Sequence, residues 1–207
     1  MESSFEVAGS REPQKHHPLT IALHWGTVFS ILVAITAVLL REIIDDRFWR
    51  VLLIETHRQL GLLVLFGVVV RLGIRLRYGM ADHTSHLPLP MRLAATGCHW
   101  ALYGLLLGLP LLGWAATNAR NLSVNFVGLL RLPTLVVVDR GLADQLVDKH
   151  VLGAWLLLGL VLMHTLAALF HHFIRRDLVL WAMLPSASPS SVAPKAEPGK
   201  AELPSGA

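Results

Sequence analysis

Cysteine and buried charge are what this sequence has least of. Its 207 residues include one cysteine, Cys98, so an internal disulfide and a thiolate-held iron–sulfur cluster, which takes several cysteines, are both excluded. Cys98 itself reads as a small helix residue. Charged residues make up 15% of the chain against 54% apolar ones, and the mean hydropathy is +0.55. That is the composition of a membrane protein. Glu55 and Asp148, each within the first three residues of its stretch, are the only carboxylates in the four longest apolar stretches, and none lies deeper. Neither a histidine-plus-carboxylate metal site nor a Cys–His zinc set therefore fits. The net charge of +4 does not point to nucleic acid, because the cations sit at helix ends and not in clusters with interleaved aromatics. A cleavable leader is not expected either. Glu2 and Glu6 acidify the leading segment and the first apolar run is too long for a leader core, so the first helix is read as retained.

What the chain does have is apolar length. Four windows, about Leu19 to Leu40, Leu53 to Leu76, Leu93 to Thr117 and Val147 to Phe173, can each cross a hydrocarbon core, which takes about 20 mostly apolar residues. They predict an all-α, integral-membrane four-helix bundle over residues 19–184, with both termini on one side. Residues 1–18 form a polar arm with the pair His16–His17, and residues 185–207 form a Pro, Ser, Ala and Lys tail expected to be disordered. The loop from Tyr78 to Pro90 is too polar to be buried. The longest loop, residues 118–146, contains FVGLLRLPTLVVV, an apolar segment broken by Arg131 and Pro133 and expected to lie on the bundle as a cap. Arg71, Arg75 and Arg77 close the second helix, Arg92 opens the third, and Arg175 with Arg176 closes the fourth. This favours a cytoplasmic side holding both termini and the middle loop. Arg41, Arg47, Arg50, Arg58, Arg120, Arg131, Arg140 and Lys149 lie near the other side and weaken the charge argument.

Into this apolar background the sequence sets histidines. Ionisable groups at membrane depth are costly, so each is a functional candidate. His150 and His164 lie fourteen positions apart, about 21 Å along a helix and almost on one face. The alternating direction of the four helices pairs His57 with His150 at one level and His24 with His164 at the other. Arg71 follows His57 at the same fourteen-residue interval, and its readings are a snorkelling cation or a holder of an anionic group. Two neutral imidazoles from facing helices suit the axial positions of a b-type haem, and two such pairs suit two stacked haems. Gly26, Gly61 and Gly153 each lie within a turn of a candidate ligand and would let a flat macrocycle approach the backbone, while Gly104, Gly108 and Gly113 serve either such a ligand or helix contact. Any one of these histidines taken alone is more simply a hydrogen-bonded core or interfacial residue. Spacing also leaves a proton relay or a haem-free histidine-based transporter open.

IALHW at 21–25, Arg41 ending the first helix, THRQLG at 56–61 followed by RLGIRLR, HWALYGLLLGLPLLGW at 99–114, KHVLGAW at 149–155 and LMHTLAALFHH at 162–172 together resemble the bacterial cytochrome b561 family. The resemblance covers about residues 16–185 and leaves out both tails. It implies a bacterial inner-membrane, multi-pass cytochrome with both termini cytoplasmic and two b-type haems, ligated at His24, His57, His150 and His164. Arg41 and Arg71 are candidate partners of the haem propionates.

The resemblance further implies exchange with quinone and, in one type, oxidation of periplasmic superoxide with ubiquinone as acceptor. The family's quinone region corresponds to His99 and His171, whose plainer reading is interfacial hydrogen bonding. Imidazoles titrating near neutrality can pass the protons that quinone reduction needs. Arg41, Arg58, Arg120 and Lys149 are candidates for a cationic mouth that steers superoxide, an anion. The rival reading is an electron-transfer subunit serving a periplasmic redox protein, with no small-molecule donor of its own. Membrane lipid is the obligatory surrounding in either case, and a homodimer is open.

Overall fold

A computed structural model gives the structure of residues 17–78, 88–176, 180, 183 and 184. The arm up to His16, most of the loop after Tyr78 and the tail at 185–207 lie outside the described residues. Four helices carry the fold: α1 (Pro18–Ile43), α2 (Arg47–Tyr78), α3 (Leu89–Ala119) and α4 (Arg140–Phe170). All four are long and apolar enough to cross a membrane. The chain is a mostly helical, multi-pass membrane bundle.

The helices run past the apolar windows because their ends are set by caps and not by hydropathy. His17 accepts from Leu19 N at 3.3 Å with Pro18 in the first turn, where its missing N–H costs nothing. Asp46 accepts from Trp49 N at 3.1 Å and starts α2 six residues before the apolar window. Asp139 accepts from Leu142 N at 2.9 Å and starts α4 at Arg140. The expected loop over 118–146 is corrected accordingly. Residues 140–146 are helical, and the loop shrinks to 120–139. Beyond Phe170, α4 continues as one π turn, His171–Arg175, whose wider winding closes with Arg176 N on His171 O and a left-handed Arg176 at φ 53°.

We define the end of the bundle holding the short α1–α2 turn and the 120–139 loop as the upper end. There, two-residue strands β1 (Asn125–Phe126) and β2 (Leu130–Arg131) pair antiparallel, an addition to an otherwise all-α fold.

α1 packs along α2, and α3 along α4; the two hairpins meet through α2 and α3. Small residues make the first contact close. Thr27, Ser30, Ala34 and Ala37 recur every three or four positions and form the buried stripe of α1. Val64 and Val68 of α2 pack on Tyr103 of α3 in the centre. Gly153 does the same work for α4. A Cβ there would lie 2.7 Å from Leu109 Cδ2, so the glycine is filled by α3 and leaves no room for a flat ligand, a correction to its sequence reading. Gly153→Leu is therefore expected to push α3 and α4 apart and destabilise the bundle by about 1–3 kcal/mol, the usual cost of overpacking. An unchanged thermal midpoint in detergent would count against this account of Gly153.

Candidate functional site

The upper histidines come from α2 and α4. His57 Nδ1 lies 3.0 Å from Ala34 O, reached because the small stripe of α1 brings its backbone close. His150 Nδ1 lies 2.9 Å from Leu109 O, and Gly113 makes room for that ring, since a Cβ there would stand 3.5 Å from His150 Cε1. A carbonyl only accepts, so each ring donates from Nδ1 and turns an unprotonated Nε2 outward, the arrangement in which histidine binds a metal. The two ring centroids are 5.9 Å apart at 73°.

The lower level brings together three histidines from three helices. His24 and His164 have centroids 6.4 Å apart, and His99 approaches His164 to 5.4 Å. His99 Nδ1 donates to Ala95 O of its own helix at 2.7 Å. Arg71 Nη1 donates to His24 Nδ1 at 3.2 Å. Since a guanidinium cannot accept, this contact sets the proton of His24 on Nε2, opposite to the upper rings. Arg71 stands over the Tyr103 ring at 5.9 Å, and Arg75 lies 5.2 Å from both the Tyr103 and the Trp100 centroids. The cations are thus partly held by aromatic faces. No carboxylate lies on α2 after Glu55.

His171 sits half-buried in the π turn with its ring 6.2 Å from Phe170. His99 and His171, set side by side in the sequence reading, therefore differ in place: His99 belongs to the lower histidine cluster. The depth argument that paired His24 with His164 also carries His99, which lies about three turns into the neighbouring helix at the same end. Sequence reasoning named His99 as a quinone-site candidate but passed over Gln59 and Tyr103. The signal for Gln59 was an amide two positions from His57 at membrane depth.

These groups meet the requirements of haem. A metal–imidazole bond of about 2.0 Å, with about 1.1 Å more from nitrogen to ring centre, sets two axial imidazoles about 6.2 Å apart between centroids. The distances of 5.9 and 6.4 Å bracket that value, and 5.4 Å falls well short of it. A Cβ at Gly26 or Gly61 would meet nothing within 4 Å, so open space adjoins both. At the upper end, Arg41 Nε is buried with no hydrogen-bond partner among the described residues, while Nη1 of the same group pairs with Glu42 at 2.9 Å. An unpaired buried N–H is costly and calls for an acceptor. Among the described residues no group of three or more His, Cys, Asp or Glu side chains is set to hold a bare metal ion.

The family model for prokaryotic cytochrome b561 matches residues 15–186, which contain every group described above. The chain belongs to this family. Among cytochromes b561 and their relatives, it is 30% identical over 173 residues to the probable superoxide oxidase CybB of Yersinia pestis, covering 83% of this chain and 97% of that protein. It is 33% identical over 168 residues to cytochrome b561 homolog 1 of Escherichia coli strain K12, covering 80% and 94%, and 28% identical over 189 residues to homolog 2, covering 85% and 94%. Membership in the cytochrome b561 family implies b-type haem and a part in electron transport.

The cationic mouth expected at the upper end is largely neutralised. Arg41 pairs with Glu42, Arg58 with Glu55, and Arg120 with Asp144 at 3.2 Å, leaving Lys149 exposed. Paired charges have short-range fields, so steering by these residues is weaker than a count of arginines implies.

Proposed function

We propose that this cytochrome b561 is a superoxide:ubiquinone oxidoreductase of the bacterial inner membrane, with two b-type haems and both termini cytoplasmic. The single observation that carries the two-haem reading is the pair of interhelical histidine contacts, His57–His150 and His24–His164, at spacings with which each pair could hold one haem iron. The relative described as a probable superoxide oxidase supports the donor. The lower-end cations Arg71, Arg75, Arg77, Arg92 and Arg175 support a cytoplasmic lower end.

In the overall reaction two superoxide anions each lose one electron to become dioxygen, and one ubiquinone takes up those two electrons and two protons. Haem, when bound, supplies the one-electron redox chemistry. The protein's own groups do the rest. Ala34 O and Leu109 O fix the upper imidazoles with Nε2 free, so the ligands are oriented before the cofactor arrives. At the lower level His24 would hold the iron through Nε2 only with Nδ1 released by Arg71. Arg71, and Arg41 Nε at the upper end, would then be available to hold a propionate. His99 and His171 are the groups proposed to hold ubiquinone and relay its protons, His99 from within the lower cluster and His171 from the π turn.

The test is a stopped-flow mixing of oxidised, purified protein with superoxide in the presence of ubiquinone. Reduction of a b-type spectrum followed by ubiquinol formation is expected. Because Arg41, Arg58 and Arg120 are paired, the bimolecular rate is expected to fall less than about tenfold between low salt and several hundred millimolar. Haems that stay oxidised with superoxide but are reduced by a periplasmic redox protein would replace this reading with the electron-transfer subunit.

A further inference from the structure

The 120–139 loop presents an apolar surface with no use in the redox reading. At the tip of the β1–β2 hairpin, Val127, Leu129 and Leu130 are 62%, 91% and 54% exposed, and Val137 on the return limb is 80% exposed. The turn that displays them is strained. Val127 lies at φ 52° and Gly128 at φ 70°, and a β-branched residue in the left-handed region costs on the order of 1–3 kcal/mol. A chain seeking only a short link between α3 and α4 would place Asn or Gly there, as hairpin turns usually do.

Two contacts set where this tip lies. Gln59 holds β1 like a strand neighbour: its Nε2 donates to Asn125 O at 2.8 Å and its Oε1 accepts from Val127 N at 2.9 Å. Phe126 packs on Phe66 of α2 with centroids 5.3 Å apart. Phe66 is seven residues past Gln59, about 10 Å further toward the middle of the span, and is itself on the outward flank of α2 beside the exposed Leu63. The hairpin therefore hangs down the side of the bundle, continuous with the helix surface that faces lipid, and does not sit across the upper end as a lid. The amide clamp fits the same location. A strand edge in water needs no partner, whereas backbone groups next to hydrocarbon must be satisfied from within the protein.

We propose that residues Val127–Leu130 form a membrane-inserted anchor, lying at the headgroup–acyl boundary of the leaflet at the upper end. The occupant of the apolar tip is bilayer lipid and not a second copy or a partner protein. Apolar side chains buried to that depth offset the strained turn, and the anchor holds the 120–139 loop against α2 through Gln59 and Phe66, beside His57.

A nitroxide label at Leu129→Cys, in a Cys98→Ala background and in phosphatidylcholine vesicles, reads the depth directly. Labels at Leu63→Cys, on the lipid-facing flank of α2, and at Asp148→Cys, exposed at the upper end of α4, give the lipid and water references. The expected result is relaxation by oxygen exceeding that by a water-soluble nickel complex, with a ratio nearer to that at Leu63. A ratio like that at Asp148 overturns the proposal. So does protection from both relaxants with spin–spin broadening, which would mean a second copy covers the tip. A label at Leu130→Cys is judged by the same ratios should the Leu129 label disturb the turn. Neither label depends on haem content, so the result stands apart from the redox reading.

Discussion

Replacing His150 with alanine is expected to reduce the haem content from two per chain to one, and to lower superoxide-driven ubiquinol formation by a hundredfold or more. His150 is gripped from α3 by Leu109 O at 2.9 Å and faces His57 at 5.9 Å, so its removal leaves one imidazole where two are required. Gly113, against which the ring lies, has no side chain that could substitute. His57→Ala is expected to give the same loss, because in the proposed pairing His57 and His150 hold the same haem. The retained haem should then belong to the lower level in both variants and show the same reduced-minus-oxidised band. Pyridine haemochrome assay gives the stoichiometry and a redox titration identifies the surviving component. Two haems retained in either variant, or different survivors in the two, would refute the upper pairing. Loss of both haems together with a collapsed thermal midpoint would instead indicate that the bundle cannot form around one cofactor.

The four spans were legible in the sequence because apolar runs of that length have few uses outside a bilayer. The levels of the histidines followed from helix direction alone, since one rise per residue fixes depth once the turns are placed. What was not legible has definite physical causes. Hydropathy reports the part of a helix in contact with lipid, so it missed the polar first turns that Asp46 and Asp139 cap into α2 and α4. Depth was readable but azimuth was not. His99 lies at the same end as His24 and His164, yet only the packing of α3 on α4 turns it toward His164. For the same reason Gly153 was assigned to ligand clearance when Leu109 fills the space beside it. The strand pair was invisible because two-residue strands leave no periodic signal, and the contact that ties β1 and its turn to α2 is made by both ends of one amide, Gln59.

The three-histidine lower cluster yields the second large effect, a separation of roles that its members' proximity hides. His24→Ala and His164→Ala are each expected to remove the lower haem. His99→Ala is expected to keep both haems and still lose tenfold or more of ubiquinol formation. The reason is geometric and chemical together. His24 and His164 stand 6.4 Å apart, room for a metal between their nitrogens, whereas His99 and His164 at 5.4 Å are too close for one. His99 also donates from Nδ1 to Ala95 O within its own turn, which leaves Nε2 as an acceptor or proton relay beside the cluster. Arg75, held by Trp100 and Tyr103 at 5.2 Å, keeps a positive charge near this end and favours binding of a group that gains negative charge on reduction. His99→Gln, which offers an amide of similar reach but cannot pass a proton as an imidazole does, should recover quinone binding more than turnover. Haem stoichiometry and the ubiquinone dependence of turnover, measured on the same preparations, separate these outcomes. If His99→Ala loses a haem while His24→Ala keeps two, then His99 and His164 form the lower ligand pair, and His24 with Arg71 moves to the quinone side.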